Sequence, residues 1–200
     1  MARRPVPARR VRGALRVYDR AGQTIATIDA LGARSSTVYD GAGQTTRTVS
    51  PLLEITTSLY DGAGQQLVSI DALGFRTTSA YDPAGRNIVQ VNARGYRTTT
   101  VYDAAGRQQA TINALGNRST TVYDLAGQNI AEINASAQRM TTVYDPAGRT
   151  VVQIDRLSRR TTLAYDAAGR QVRSTNPLGF IATTVYDKAG QSVAQIDPLL

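Results

Sequence analysis

The sequence predicts an all-β protein, an antiparallel array of β-hairpins from nine 21-residue repeats that forms a curved, spiralling sheet or partial β-shell. Three observations predict it. A Tyr-Asp dipeptide recurs at Tyr18, Tyr39, Tyr60, Tyr81, Tyr102, Tyr123, Tyr144, Tyr165 and Tyr186, 21 residues apart each time and with no insertion. Glycine stands four residues after every one of these tyrosines, from Gly22 to Gly190. The stretches between turns are short and β-branched, as in Arg97-Thr98-Thr99-Thr100-Val101-Tyr102 and Asn87-Ile88-Val89-Gln90-Val91, which is strand composition and too short for helix.

With the tyrosine as repeat position 1, the unit reads Tyr-Asp-x-Ala-Gly-(Arg/Gln), then a mixed stretch ending in Ile or Val. It continues as (Asp/Asn)-(Ala/Pro)-Leu-Gly and then x-Arg-Thr-Thr-Thr-Val. Both glycine segments obey the grammar of a type I turn, with Asp or Asn first, Pro tolerated second, and Gly fourth where φ must be positive. Asp82-Pro83-Ala84-Gly85 and Asp145-Pro146-Ala147-Gly148 show it in the first turn, and Asn176-Pro177-Leu178-Gly179 in the second. Each repeat is therefore two strands and two turns. Alternation along a strand sets Tyr beside Thr on one face and Val beside Thr on the other. Nine units give about 18 strands, and at roughly 4.8 Å per strand the ribbon is about 86 Å long, so it is expected to twist and curl. Three second turns lack the glycine and carry Leu53, Ala137 and Ser158 instead, which predicts weaker or altered turns there.

The Tyr-Asp-x-x-Gly-Arg core at this period resembles the YD-repeat, or Rhs-repeat, family. Tyr81 to Arg86, Tyr102 to Arg107, Tyr144 to Arg149 and Tyr165 to Arg170 match it in full, and five copies carry Gln23, Gln44, Gln65, Gln128 or Gln191 for the arginine. Family repeats usually hold an aromatic two residues before the tyrosine. Here the position holds Thr37, Ser58, Ser79, Thr100, Thr121, Thr142, Leu163 and Thr184, which implies a less aromatic inner surface. The resemblance implies a β-spiral shell that wraps a C-terminal toxin domain in bacterial Rhs proteins and toxin complexes, or an adhesion module as in teneurins. It implies an extracellular or cell-surface location, with an effector domain or further repeats of a longer array as partners and cell-surface glycans as an alternative ligand. Asp197-Pro198-Leu199-Leu200 looks like the family's self-cleavage element, but its phase makes it an ordinary second turn.

Composition argues against catalysis. The 200 residues contain no histidine, cysteine or tryptophan and one lysine, Lys188, which removes most general bases, thiol nucleophiles and zinc ligands. All 13 aspartates fall on turns, where the side chain caps its own backbone. Glu54 and Glu132 are out of phase and carry no motif. No catalytic residue, cofactor or metal site is expected. No apolar run approaches the roughly 18 residues of a membrane span, and no signal peptide or membrane insertion is expected.

The formal charge is +8, from 23 basic and 15 acidic side chains. Arg3, Arg4, Arg9, Arg10, Arg12 and Arg16 supply +6 of it, so residues 1–16 are expected to be a basic, disordered arm and residues 17–200 the repeat array, its ninth unit truncated. Nucleic-acid binding through the arm is the weakest functional reading. Within the array, Arg34, Arg76, Arg97, Arg118, Arg139 and Arg160 all fall at position 17 and form the one candidate contact ladder for polyanions or glycans. The simpler reading, which composition favours, is a solvated edge balanced by the turn aspartates.

Overall fold

A computed structural model describes residues 9–11 and 14–197, and every regular element in it is a β-strand. The chain divides into two units, residues 1–100 and 101–200. In the first, a short β1 (Arg9–Val11) precedes β2 (Ala14–Tyr18), β3 (Thr24–Ile28), β4 (Arg34–Tyr39), β5 (Thr45–Val49), β6 (Ile55–Tyr60), β7 (Gln66–Ile70), β8 (Arg76–Tyr81) and β9 (Asn87–Val91). β10 (Arg97–Tyr102) crosses the division. The second unit continues with β11 (Gln108–Ile112), β12 (Arg118–Tyr123), β13 (Asn129–Ile133), β14 (Arg139–Tyr144), β15 (Thr150–Ile154), β16 (Arg160–Tyr165), β17 (Gln171–Thr175), β18 (Ile181–Tyr186) and β19 (Ser192–Ile196).

In each unit every strand pairs antiparallel with the next one in sequence, so all contacts are between neighbours and the predicted hairpin array is observed. Strands of five residues (positions 7–11) alternate with strands of six (positions 17 to 1). The register pairs position 9 with positions 19 and 21, as in Ala26 opposite Ser36 and Val17, which puts Val, Thr and the position 17 arginine on one face. Position 10 pairs with the Thr and Ser residues that share the tyrosine's face, as Gln153 does with Thr142 and Thr161. Faces thus divide as alternation predicts.

One feature was invisible in the sequence. The first hairpin of every fully described repeat carries a bulge: Val17 pairs with Ala26 and Tyr18 with Thr24, leaving Ile25 unpaired. The same skip recurs before Tyr39, Tyr60, Tyr81, Tyr123, Tyr144, Tyr165 and Tyr186. Bulges add local twist and need no special residue, so nothing in the composition marks them.

The core is thin. Among the described residues only Ala26, Val68, Ala110 and Ala131, all at position 9, are buried. Val38, Leu59, Val143 and Val185 on the same face remain between 42% and 50% exposed. Most apolar side chains are therefore only partly buried, and polar ties join the repeats beside them.

Two expectations are corrected. Ala14–Tyr18 and Arg9–Val11 form a paired hairpin, Arg10 opposite Leu15, so the sheet begins before Val17 and residues 14–16 belong to the array. They precede the first Tyr-Asp and lack the repeat's signature, which hid the strand. Residues 1–8, 12 and 13 of the expected arm, and residues 198–200 of the last turn, lie outside the described residues. Second, the turns of Leu53, Ala137 and Ser158 are not altered. Their φ angles are +63°, +60° and +62°, and Leu53 N–H donates to Ser50 C=O at 2.9 Å just as Gly32 N–H donates to Asp29 C=O at 3.1 Å. Pairing on both sides holds the left-handed geometry against the residue's own preference.

Candidate functional site: an arginine ladder and a polar latch

The first turn concentrates the chain's polar chemistry, and Asp145 shows how. Its C=O accepts Gly148 N–H at 2.9 Å, and its N–H donates to Arg149 C=O at 2.9 Å. Oδ1 accepts from Ala147 N–H at 2.9 Å and Arg149 N–H at 3.0 Å. Oδ2 takes Arg149 Nε at 2.7 Å and Nη2 at 2.6 Å. Nη1 of the same arginine reaches the next repeat and donates to Asp166 C=O at 3.4 Å, and the guanidinium lies 4.8 Å from the centroid of the Tyr165 ring. Arg107 and Arg170 repeat this reach, to Asp124 and Tyr123 and to Asp187 and Tyr186. Where position 6 is glutamine the acceptor is the next first-turn glycine: Gln44 Nε2 donates to Gly64 C=O at 3.0 Å and Gln23 Nε2 to Gly43 C=O at 3.5 Å. Gln and Arg, interchangeable in the sequence motif, are thus two versions of one latch between consecutive first turns.

The tyrosine is the second half of the latch. Strands β3 and β4 are joined by the second turn and pair only from Ala26 to Ile28, so Thr24 C=O at the far end of the seam lacks a ladder partner in β4. Tyr39 Oη supplies it at 3.1 Å. Tyr60, Tyr81, Tyr123, Tyr144, Tyr165 and Tyr186 make the same bond at 2.9–3.1 Å, each to the carbonyl fifteen residues before it. This explains the invariant Tyr-Asp pair: one residue closes the seam behind it and the next caps the turn ahead.

The latch lies close to the first-turn glycines where it is a glutamine. A Cβ at Gly43 or Gly64 would sit 2.7 Å or 2.9 Å from the preceding glutamine's Nε2. At the second-turn glycines Gly32, Gly74, Gly95, Gly116 and Gly179 a Cβ would meet nothing within 4 Å. All three glycine replacements among the described residues, Leu53, Ala137 and Ser158, fall in second turns. Gly64→Ala is expected to lower stability by up to about 1 kcal/mol more than Gly74→Ala, the worth of one hydrogen bond if Gln44 is displaced from it, although both carry the same φ penalty. Urea unfolding of the two variants side by side measures the difference.

Five aspartates, Asp82, Asp103, Asp145, Asp155 and Asp166, have their carboxyls held below the usual carboxylate range. The leading cause is the side-chain bond from Arg86 or Arg149 for Asp82 and Asp145, and the backbone N–H of Arg107, Arg159 or Arg170 for the other three. A carboxyl with a lowered folded pKa adds stability that is complete above its unfolded pKa near 3.8 and is lost as pH falls through the folded value. The thermal midpoint should therefore be flat above about pH 5 and fall progressively below about pH 4, as circular dichroism can follow. Asp82→Asn and Asp145→Asn should flatten that fall.

The six predicted arginines are all exposed, each opposite the aliphatic position 11 across its hairpin, as Arg34 is to Ile28 and Arg139 to Ile133. Among the described residues none of them is ion-paired: the position 6 arginines and Arg159 take the turn aspartates, and Arg156 lies 3.8 Å from Glu132. No turn aspartate forms an ion pair with the ladder among the described residues. Arg118 and Arg139 Nε each donate to a threonine hydroxyl at 3.2 Å, on Thr120 and Thr141, leaving the guanidinium tips outward. A cleft of about 580 Å³ runs along β14, lined by Arg139, Thr141, Tyr144, Gln128, Ile130 and Asp145 among others. Glu54 accepts from Ser50 Oγ, and Glu132 accepts from Asn129 Nδ2 besides facing Arg156. Among the described residues no cluster of three metal-ligating side chains occurs.

The family model described as RHS Repeat matches residues 144–181, from the Tyr-Asp of one unit through the next. The matched unit is the one that recurs in phase along the array. The match covers 38 of the 200 residues. Among solved structures the array is similar to a crystal structure of TcdB2-TccC3-TEV, with 17% identity and a TM-score of 0.59 over 92% of the chain. It is also similar to TcdB2-TccC3 without its hypervariable C-terminal region (17%, TM-score 0.46, 92% of the chain). A third is the Photorhabdus luminescens Tc holotoxin pore (15%, TM-score 0.45, 91%). The array spans 11%, 12% and 14% of those chains, respectively. At this identity the likeness establishes the fold, antiparallel repeat hairpins. No curated protein matches the sequence.

Proposed function

We propose that this array is a non-catalytic scaffold, a segment of a longer toxin-associated, exported or cell-surface Rhs-like protein, that encloses or displays an effector domain or joins further repeats. The observation that carries the reading is the use to which the polar groups are put. Tyrosine hydroxyls, turn carboxylates and position 6 side chains are spent on repeat-to-repeat bonds, so the chemistry of the first turn serves continuity of the sheet and not a substrate. The fold shared with the TcdB2-TccC3 structure agrees with that role. Limited proteolysis of the parent protein, carrying its own C-terminal segment, tests it. The scaffold reading expects that segment to be protected while the array is intact and digested once the array is acid-weakened. Equal digestion in both states would contradict enclosure.

A second reading rests on the unpaired ladder: contact with acidic glycans or other polyanions through Arg34, Arg76, Arg97, Arg118, Arg139 and Arg160. The cleft at Arg139, where the Thr141 hydroxyl lies beside the guanidinium, favours it. Heparin-affinity elution should then move to lower salt in Arg118→Ala/Arg139→Ala/Arg160→Ala, and an unchanged elution would remove the reading.

A further inference from the structure

The two rims of the sheet differ in kind. In the N-terminal unit the first-turn rim carries Arg20, Gly41, Gly62 and Pro83, each followed by Ala-Gly, and no large apolar side chain. The second-turn rim of the N-terminal unit carries Leu31, Leu52, Leu53 and Leu73 at 79–94% exposure, with Phe75 and Tyr96 more than half exposed beside them. We infer that this rim is a homodimer interface, occupied by the same rim of a second copy lying antiparallel to it.

Four observations converge on that occupant. Leu53 occupies a left-handed position, φ +63°, where the repeat otherwise places glycine, so an exposed apolar side chain is retained against backbone strain. Consecutive second turns are two strands, about 10 Å, apart, and only a surface with the same period matches every leucine at once. A second copy has that period. The charges are graded along the rim. The first two turns carry Asp29 and Glu54 against Arg34, whereas the next two carry Arg76, Arg94 and Arg97 against Asp71. An antiparallel partner sets the acidic half against the basic half, and a two-fold pairing closes without propagating. Finally, six such side chains present about 500 Å² per copy, or about 1,000 Å² in the pair, which reaches the lower bound for a specific interface.

Sedimentation equilibrium of the full chain between about 1 and 100 µM should show a monomer–dimer equilibrium, with Leu31→Ser/Leu52→Ser/Leu73→Ser weakening it at least about tenfold. The control Ala42→Ser/Ala63→Ser/Ala84→Ser, on the other rim, should leave it unchanged. A chain that stays monomeric, or a dimer indifferent to the leucine changes, overturns the inference. Orientation is readable because the chain has no cysteine: Ala30→Cys and Ala93→Cys, mixed, should cross-link to each other across the dimer. Cross-linking of Ala30→Cys only with itself would overturn the antiparallel arrangement, and this readout stands even where the serine variant fails to fold.

Discussion

Replacing Leu53, Ala137 and Ser158 together by glycine is expected to raise the unfolding free energy by about 2 kcal/mol. A left-handed L-residue costs about 1–2 kcal/mol, and the extra freedom glycine gives the unfolded chain takes back about 0.4–1 kcal/mol per site. The turns themselves are unchanged by the substitution, since Leu53, Ala137 and Ser158 already donate their N–H to the first turn residue at 2.9–3.0 Å. The three sites lie in different repeats and share no partner, so their effects should add. Denaturant unfolding of the single and triple variants under dilute conditions measures it. At high concentration Leu53→Gly should give up part of its gain, because the same residue contributes to the apolar rim. The gain and the loss are then separable by concentration.

The opposite sign is expected at Tyr144. Tyr144→Phe keeps the ring and removes the bond to Asn129 C=O at 3.0 Å, which should lower stability by about 1 kcal/mol. Tyr144→Ala also strips a half-buried ring from the seam between β13 and β14, and the loss should reach about 2–3 kcal/mol, below the cost for a fully buried aromatic. The comparison separates hydroxyl from ring. Because the array has so little buried apolar surface, these figures are large relative to what any one repeat holds. The variant should therefore open locally before the rest of its unit unfolds.

The repeat period and the turn residues made the fold legible in advance. Every fully described Asp-x-Ala-Gly unit forms the turn its residues call for, and Asn176 and Ser50 cap in the same way as aspartate, Asn176 Oδ1 accepting Leu178 and Phe180 N–H and Ser50 Oγ accepting Leu52 and Glu54 N–H. Strand alternation fixed which residues share a face. The bulge at Ile25 and its equivalents was not legible, because a bulge is a register event and registers are set by two strands together. The latch was half legible: the Arg/Gln alternative at position 6 was visible, but its role depends on the distance between successive first turns. A usable signal was present in the glycine pattern, since first turns never lose glycine and second turns lose it at Leu53, Ala137, Ser158 and Leu200. The arginine ladder drew attention as the one unexplained charge pattern. Among the described residues its guanidinium groups make no ion pair, while the position 6 arginines, read only as part of a motif, hold the repeats together.

Amide hydrogen exchange on Tyr144→Ala against the unaltered chain tests most directly that repeats are held one to the next by these latches. The latch account predicts that protection falls in β13 and β14, spreads weakly to β12 and β15, and stays unchanged in β17 to β19. A uniform loss across the second unit, or no loss beside Asn129, would contradict it.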